Sequence, residues 1–234
     1  MSLKHNYIVV EGVIGVGKTS LVQRLHESFN AKPVYEIVEE NPFLEKFYKD
    51  MKSYAFQTQL FFLLSRYKQQ LELHQPDLFY QTIISDYLFA KDKIFARLTM
   101  NDAEFGLYNS IYELLYERIP QPDLVIYLQA STDRLMQNIG ERGRKFEEDI
   151  SREYIESLNN AYREFFFQYS ETSLLVINTE EIDFVHIDTD FQHIVREIQN
   201  MKHGVRYVHP VGSRRPLVLQ EINHQSKGET DNDD

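Results

Sequence analysis

Residues 7–20 read Tyr7-Ile8-Val9-Val10-Glu11-Gly12-Val13-Ile14-Gly15-Val16-Gly17-Lys18-Thr19-Ser20. An apolar run, a glycine-rich loop and the beginning of a helical pattern follow one another in this stretch. The loop carries the spacing G-x-x-x-x-G-K-[ST], which is typical of a phosphate-binding loop between a strand and a helix. A glycine-rich turn is the alternative, but a turn requires neither the preceding strand nor the following helix. The stretch therefore predicts a P-loop protein.

The residues of this loop have distinct predicted roles. Its glycines let successive backbone N–H groups point at an anionic phosphate chain, and the helix N-terminus adds its positive dipole end. Lys18 is expected to reach the β- and γ-phosphates of a nucleoside triphosphate, while the Thr19 hydroxyl ligates the accompanying Mg²⁺. The predicted ATP-binding residues of the loop are Gly12, Gly15, Gly17, Lys18, Thr19 and Ser20.

The composition excludes several classes of function. The chain of 234 residues contains no cysteine, which rules out disulfides, thiolate metal sites and cysteine nucleophiles. The formal net charge of −11 disfavours a nucleic-acid polymer as partner, because an acidic surface repels phosphate backbones. No apolar run approaches the about 18 residues of a membrane helix, and residues 1–6 leave no room for a signal peptide. These features predict a soluble cytoplasmic protein without membrane association.

Strand and helix patterns alternate along the chain, which predicts an α/β protein. Apolar runs predict strands near residues 7–11, 34–38, 81–86, 123–128 and 174–177. Helical patterns separate these runs, so we expect a five-stranded parallel sheet with helices on both faces. We expect one P-loop domain over residues 1–202. Residues 203–234 read as a C-terminal tail with a disordered end.

Acidic residues stand at the carboxyl ends of two predicted strands, where ligands bind in open α/β sheets. The predicted strand at residues 34–38 delivers Glu36, Glu39 and Glu40 to this edge. For Glu39 and Glu40, the favoured interpretation is that they are favourable charges at the start of the following helix. Asp86 ends the next strand and is the candidate partner of Thr19 at a Mg²⁺ site.

A long apolar helix is predicted from about residue 53 to residue 73, and it carries two polar residues on one face. Gln59 and Arg66 are seven positions apart, which is two helical turns. Buried polar groups need partners. The two side chains either form hydrogen bonds within the core or line a pocket for a ligand with a hydrogen-bonding edge.

A second phosphate-handling element is predicted at Glu141-Arg142-Gly143-Arg144-Lys145-Phe146-Glu147-Glu148. Two arginines around a glycine place permanently charged, forked donors on a segment suited to closing over phosphates. A solvated charge run is the alternative interpretation. With the phosphate loop upstream, the pattern favours an arginine-rich lid.

P-loop proteins catalyse many reactions, so the loop alone does not name one. The sequence lacks the Asp-x-x-Gly and Asn-Lys-x-Asp motifs of GTPases and the Ser-Gly-Gly signature of transporters. An arginine-rich lid and an acidic residue at the carboxyl end of the second strand are typical of a kinase that phosphorylates a hydroxyl group of a small molecule. The hydroxyl needs a nearby base, and the transferred phosphoryl group needs cations and exclusion of water.

On these motifs the chain resembles the deoxynucleoside kinase family over residues 6–201, and within it the bacterial deoxyguanosine and deoxyadenosine kinases. The resemblance rests on residues 11–20, 36–48, 85–87 and 142–147, in that order. It implies that residues 1–202 have the P-loop kinase fold and that the chain uses ATP and Mg²⁺ to phosphorylate the 5′-hydroxyl of a deoxynucleoside. A nucleoside monophosphate kinase and a nucleotide-binding partner subunit without turnover remain the alternatives, although the acidic residues 36–40 disfavour an acceptor phosphate.

The resemblance also implies roles for individual residues. Glu36 is implied as the general base, with Lys18, Arg142 and Arg144 stabilising charge at the phosphates. Tyr48 and Glu147 are implied to bind the sugar 3′-hydroxyl, Gln59 and Arg66 to read a purine base, and Asp183 and Phe184 to hold the adenine of ATP. Family members often pair, which implies a homodimer or pairing with a related kinase subunit.

The chain departs from the family pattern at several positions. Tyr87 stands where many members have an arginine beside the 5′-oxygen, and Lys91 is the nearest substitute. The segment after Asp86 is one residue shorter than in many members, which leaves the assignment of Asp92 as a base-contacting acid open. Asn138 stands where the family often has a further lid arginine.

Overall fold

The computed structural model describes residues 3–73 and 80–213. Its strands are β1 (Tyr7–Gly12), β2 (Lys32–Val34), β3 (Ile83–Ser85), β4 (Leu124–Gln129), β5 (Ser173–Asn178) and β6 (Val205–Val208). They form one parallel sheet in the order β2-β3-β1-β4-β5-β6. Every residue of β1 is buried, and because alternate side chains point to opposite faces, both faces of the sheet are covered there.

The helices are α1 (Lys18–Phe29), α2 (Leu44–Lys49), α3 (Met51–Glu72), α4 (Lys91–Thr99), α5 (Asp102–Tyr116), α6 (Thr132–Arg142), α7 (Arg152–Gln168) and α8 (Asp188–Asn200). A short 3-10 helix, Lys145–Glu147, follows α6. Among the described residues, none of the helices combines the length and apolar character needed to cross a membrane.

The prediction of five strands is wrong, because the sheet has a sixth, β6, beyond β5. This edge strand exposes Val205 and Tyr207, so it lacks the continuous apolar run by which the central strands are recognised. β6 lies within the predicted tail at residues 203–234. Residues 214–234, including the end predicted to be disordered, lie outside the described residues.

The second strand is shorter than the predicted run at residues 34–38, because β2 ends at Val34. Its neighbour β3 ends at Ser85, which is opposite Val34, so no ladder partner exists beyond that point. The chain therefore leaves the sheet at Tyr35 in an irregular segment. This places Glu36 above the carboxyl edge of the sheet rather than within a strand.

Candidate active site

A cavity of about 270 Å³ opens at the carboxyl edge of the sheet. That is near the lower end of the roughly 300–1,000 Å³ typical of small-molecule pockets. Of the predicted site residues, it is lined by Gly15, Lys18, Thr19, Glu36, Tyr48, Gln59, Arg66, Asp86, Arg142, Arg144 and Glu147. Phe62, Phe95 and Phe146 contribute aromatic walls. The cavity thus joins the phosphate loop to a pocket with both polar and flat apolar surfaces.

Lys18 lies at the floor of the phosphate loop. Its Nζ donates to the backbone carbonyl of Gly12 at 2.7 Å and to that of Val13 at 3.2 Å. Burial lowers the pKa of Lys18 to about 8, while Glu11 opposes this shift and Lys91 adds to it. A phosphate group reaching this ammonium would restore the preference for the charged form.

Two glycines of the loop allow close approach of neighbouring elements. Gly15 has φ +88°, and a Cβ there would lie 2.8 Å from the backbone carbonyl of Leu135 in α6. Gly17 has φ +100°, and a Cβ there would lie 2.8 Å from the ring of Phe184. Left-handed φ values favour glycine, so conformation and packing both demand it at these positions.

Glu11 was not assigned a role from the sequence, although an acid within an apolar run is an unusual signal. Its side chain is fully buried and accepts from the backbone N–H groups of Gly12 and Leu88, at 2.8 Å and 2.7 Å. Tyr162 donates to the same carboxylate at 3.2 Å. Glu11 thereby ties the beginning of the phosphate loop to the segment that follows β3.

Thr19 and Asp86 form the predicted pair beside the phosphate loop. The Thr19 hydroxyl donates to Asp86 Oδ2 at 2.6 Å, and the backbone N–H of Glu36 donates to Asp86 Oδ1 at 2.7 Å. Burial raises the pKa of Asp86, and the negative charge of Glu36 raises it further. Asp86 thus fixes the position of Glu36 relative to the phosphate loop.

The pair Thr19 and Asp86 fits Mg²⁺, which prefers oxygen ligands and is usually held by one or two protein groups together with substrate phosphates. Within residues 3–73 and 80–213, no group of three or more His, Cys, Asp or Glu side chains is arranged to hold a metal ion. A divalent cation at this pair would therefore take its remaining ligands from phosphate and water.

Glu36 lies between two cations. Its Oε1 contacts the guanidinium of Arg66, and its Oε2 accepts from Lys91 Nζ at 2.7 Å. Burial alone would raise the pKa of Glu36, but Arg66 and Lys91 outweigh it and hold the pKa well below the usual range of a carboxylate. Lys91, the substitute suggested for the missing family arginine, therefore contacts the predicted base directly.

Arg66 also contacts Asp92, and both side chains are buried. Gln59, on the same face of α3, is buried and lines the cavity as well. Both alternatives stated for Arg66 therefore apply. Its guanidinium is paired with acidic side chains of the protein, and the residue also lines the cavity. The cavity end next to α3 presents donors from Arg66 and the amide of Gln59, whereas the fully buried carboxylate of Asp92 pairs with Arg66 and does not line the cavity.

Tyr87, at the position of the usual family arginine, is fully buried beneath this group. Its hydroxyl accepts from Gln70 Nε2 at 3.2 Å. Its ring lies 5.9 Å from the guanidinium carbon of Arg66 and 5.9 Å from Lys91 Nζ. The ring thus supports the two cations that flank Glu36.

The two predicted lid arginines, Arg142 and Arg144, form one wall of the cavity. Arg142 binds the carboxylate of Glu147 through Nε at 3.1 Å and Nη2 at 2.5 Å. Arg144 lies 3.8 Å from Glu39, and both of these side chains are partly solvent-exposed. Tyr48 also lines this wall, where burial raises the pKa of its hydroxyl and Glu147 reinforces the shift.

Asn138, at the position of a further family arginine, links α6 to the phosphate loop instead. Its Nδ2 donates to the carbonyl of Gly15 at 2.8 Å. The predicted adenine-binding residues Asp183 and Phe184 lie outside the cavity lining together with Gly12, Gly17 and Ser20. Phe184 nevertheless borders the phosphate loop through its contact with Gly17.

The sequence matches the deoxynucleoside kinase family model over residues 8–203. It is 36% identical to a deoxyguanosine kinase of Bacillus subtilis over 200 residues, covering 83% of this chain and 97% of that protein. It is 34% identical to a deoxyadenosine kinase of Dictyostelium discoideum over 206 residues, covering 86% of this chain and 82% of that protein.

A similar solved structure is that of deoxyadenosine kinase from M. mycoides with bound dATP. It superposes with a TM-score of 0.72 at 28% sequence identity, covering 83% of this chain and 99% of that one. The same enzyme with the products dCMP and dCDP superposes with a TM-score of 0.73.

Proposed function

The chain belongs to the deoxynucleoside kinase family and is a kinase that phosphorylates the 5′-hydroxyl of a deoxynucleoside; we propose how its cavity performs this reaction. The observation that supports the proposal most strongly is the position of Glu36. This carboxylate lies at the junction of the phosphate loop, through Asp86, and the pocket bordered by α3, through Arg66. A hydroxyl bound there would face both a base and a triphosphate.

In the proposed reaction, Glu36 accepts the proton of the sugar 5′-hydroxyl. The 5′-oxygen then forms a bond to the γ-phosphorus of ATP, the bond to the β,γ-bridging oxygen breaks, and ADP leaves. The products are the 5′-monophosphate, ADP and the proton held by Glu36. Tyr48 and Glu147, on the lid side of the cavity, are proposed to hold the 3′-hydroxyl.

Arg66 is proposed to act both on the base of the nucleoside and on the carboxylate of Glu36. Its contact with Glu36 lowers the pKa of the carboxylate and so weakens it as a base. A nucleobase that takes hydrogen bonds from Arg66 would loosen this contact and raise the pKa of Glu36. We therefore expect recognition of the base and activation of Glu36 to be coupled, with Lys91 keeping the carboxylate in place.

On the donor side, Lys18 and the lid arginines Arg142 and Arg144 are proposed to neutralise the phosphates during transfer. Thr19 and Asp86 would hold Mg²⁺, which offsets the charge of the triphosphate when it is bound. The loop at Asp183 and Phe184 is proposed to hold the adenine, because Phe184 packs against the phosphate-loop residue Gly17. One ATP molecule can contact both loops only if they are neighbours, as Phe184 and Gly17 are.

We propose a purine deoxynucleoside as acceptor, with deoxyguanosine ahead of deoxyadenosine. Arg66 offers a two-pronged donor that suits the O6 and N7 acceptors of guanine. Adenine presents an amino donor where guanine presents O6, so adenine suits the donors of Arg66 less well. The relatives named deoxyguanosine kinase and deoxyadenosine kinase support both choices.

We further propose a homodimer that forms through four exposed leucines, called here the leucine face. Leu64 and Leu71 stand seven residues apart on α3, and Leu107 and Leu114 stand seven apart on α5, so each pair shares one helix face. The helices α3 and α5 pack against each other. Adjacent exposed apolar side chains are typical of a protein interface. The enzyme is expected to act in the cytoplasm, where its nucleotide donor is abundant.

The reaction is tested with γ-labelled ATP and Mg²⁺, offered deoxynucleosides and deoxynucleoside monophosphates in separate reactions. We expect the label in 5′-monophosphates of deoxynucleosides. Labelled diphosphates formed only from monophosphates would identify a nucleoside monophosphate kinase. ATP binding without any labelled product would identify a partner subunit without turnover.

A further inference from the structure

The chain after β6 turns back to the loop that follows β5. A side chain at Gly212 would collide with the backbone carbonyl of Glu181, so the two backbones lie in direct contact. One residue further on, the Ser213 hydroxyl donates to Asp190 Oδ2 at 2.5 Å. The segment at residues 212–213 thereby contacts residues 181 and 182 and the first turn of α8.

Asp190 connects this segment to the proposed adenine-binding loop. Its Oδ2 accepts from Ser213 and also from the backbone N–H of Asp183, the latter at 2.7 Å. The residue is only 7% exposed, so these bonds lie largely out of water. A buried carboxylate needs such donors, and removing one costs more than the loss of an exposed hydrogen bond.

The loop is held on its other side by Arg24 of α1. Arg24 Nη1 donates to the carbonyl of Phe184 at 2.8 Å, and its guanidinium carbon lies 4.0 Å from the ring of Phe191. Phe184 in turn packs against Gly17 of the phosphate loop. A continuous series of contacts therefore runs from Ser213 through Asp190 and Asp183 to the phosphate loop.

We propose that Asp190 and Ser213 are positioning residues for the donor nucleotide, and that residues 212–213 fix the loop at residues 181–184 against the phosphate loop. The inference rests on the proposed donor site at Asp183 and Phe184. Neither residue needs to touch ATP. Their contribution is that the loop is ordered before ATP binds, which lowers the cost of binding.

The experiment compares steady-state kinetics of the full-length variants Asp190→Ala and Ser213→Ala with those of the unaltered enzyme. We expect the KM for ATP to rise about 10-fold or more for Asp190→Ala and about 3- to 10-fold for Ser213→Ala. The KM for the deoxynucleoside should stay within about twofold, because the acceptor pocket is separate. Ser213→Thr keeps the hydroxyl and should restore the KM for ATP. Ser53→Ala, at an exposed position of α3, is the matched control.

The variant Asp183→Ala separates the two proposals. If Asp183→Ala raises the KM for ATP while Asp190→Ala and Ser213→Ala leave it unchanged, the donor site stands and the positioning role is wrong. If none of the three variants changes it, the donor site and the inference fail together. Should Asp190→Ala not fold, the contrast between Ser213→Ala and Ser213→Thr decides, because equal KM values for the two would also overturn the inference.

Discussion

Glu36 is the proposed general base, so its substitution tests the proposed reaction at the scale of a single residue. Glu36→Gln keeps the size of the side chain but cannot accept the 5′-proton as a base. We expect kcat to fall by about 10²- to 10⁴-fold, the usual effect of losing a general base, with the KM for ATP nearly unchanged. Steady-state kinetics with both substrates varied measures the two effects separately.

The control for this substitution is Glu40→Gln, at an exposed position in the same segment. It should leave kcat within about twofold, since exposed positions without assigned contacts tolerate substitution. A large loss in Glu40→Gln together with a mild effect in Glu36→Gln would show that the base is assigned to the wrong glutamate.

Lys18 gives a pH dependence to the binding of ATP. Burial lowers its pKa to about 8, whereas bound phosphate favours the ammonium, so ATP binding takes up a proton above pH 8. The affinity for ATP should therefore fall as the pH rises from 8 to 9.5, approaching about tenfold per pH unit. Titration calorimetry of ATP binding over this range measures the effect. An affinity that stays constant up to pH 9.5 would contradict the low pKa.

At the scale of elements, the proposed lid can be tested through its arginines. Arg144→Ala removes a cation that is only loosely held by Glu39, and we expect kcat to fall by about 10- to 1,000-fold with little change in nucleoside KM. Arg142→Ala should also lower kcat, but it leaves the buried Glu147 without its guanidinium partner. The KM for the nucleoside should then rise as well.

The control for the lid variants is Arg152→Ala. Arg152 pairs with Asp133 at 2.5 Å on the surface, and both side chains are more than half exposed. Such exposed pairs contribute little, so kcat should be unaffected. Normal turnover in Arg144→Ala would remove that residue from the proposed lid.

Sequence patterns predicted the central elements well because their causes are local. The burial of β1 and β4 follows from apolar runs, and the phosphate loop follows from its glycines. The strand β6 was missed because it is short and exposed, and the extent of β2 was misjudged because its end depends on where β3 ends.

Within the site, the motifs in the sequence pointed to eleven residues that line the cavity and to five that do not, and they revealed few of the contacts between side chains. The pairing of Arg66 with both Glu36 and Asp92, and the bond from Lys91 to Glu36, join residues far apart in the chain. Side-chain spacing within one helix carries no information about such partners. The fixed positions of these groups come from the tertiary structure.

At the scale of the whole molecule, the proposed dimer depends on the leucine face, residues 64, 71, 107 and 114. Each leucine buried at an interface contributes about 1.5–3 kcal/mol, and a buried unpaired glutamate would reverse that gain. We expect the double variant Leu107→Glu, Leu114→Glu to be monomeric in analytical ultracentrifugation, whereas the unaltered protein is dimeric.

Phe167→Glu is the matched control for the dimer. Phe167 is 83% exposed on α7, compared with 67% for Leu114, and it lies outside the leucine face. This variant should remain dimeric. A monomer in Phe167→Glu, with a dimer in the leucine variant, would place the interface on α7 instead.

Acceptance of a purine deoxynucleoside by this cavity is tested most directly by competition kinetics. Equal concentrations of deoxyguanosine, deoxyadenosine, deoxycytidine and thymidine would be offered with ATP and Mg²⁺, and the 5′-monophosphates counted. A mismatch at the base costs about 1–3 kcal/mol, so we expect deoxyguanosine to lead the pyrimidines by roughly 5- to 150-fold, with deoxyadenosine second. A clear preference for deoxycytidine would contradict both the purine assignment and the role given to Arg66.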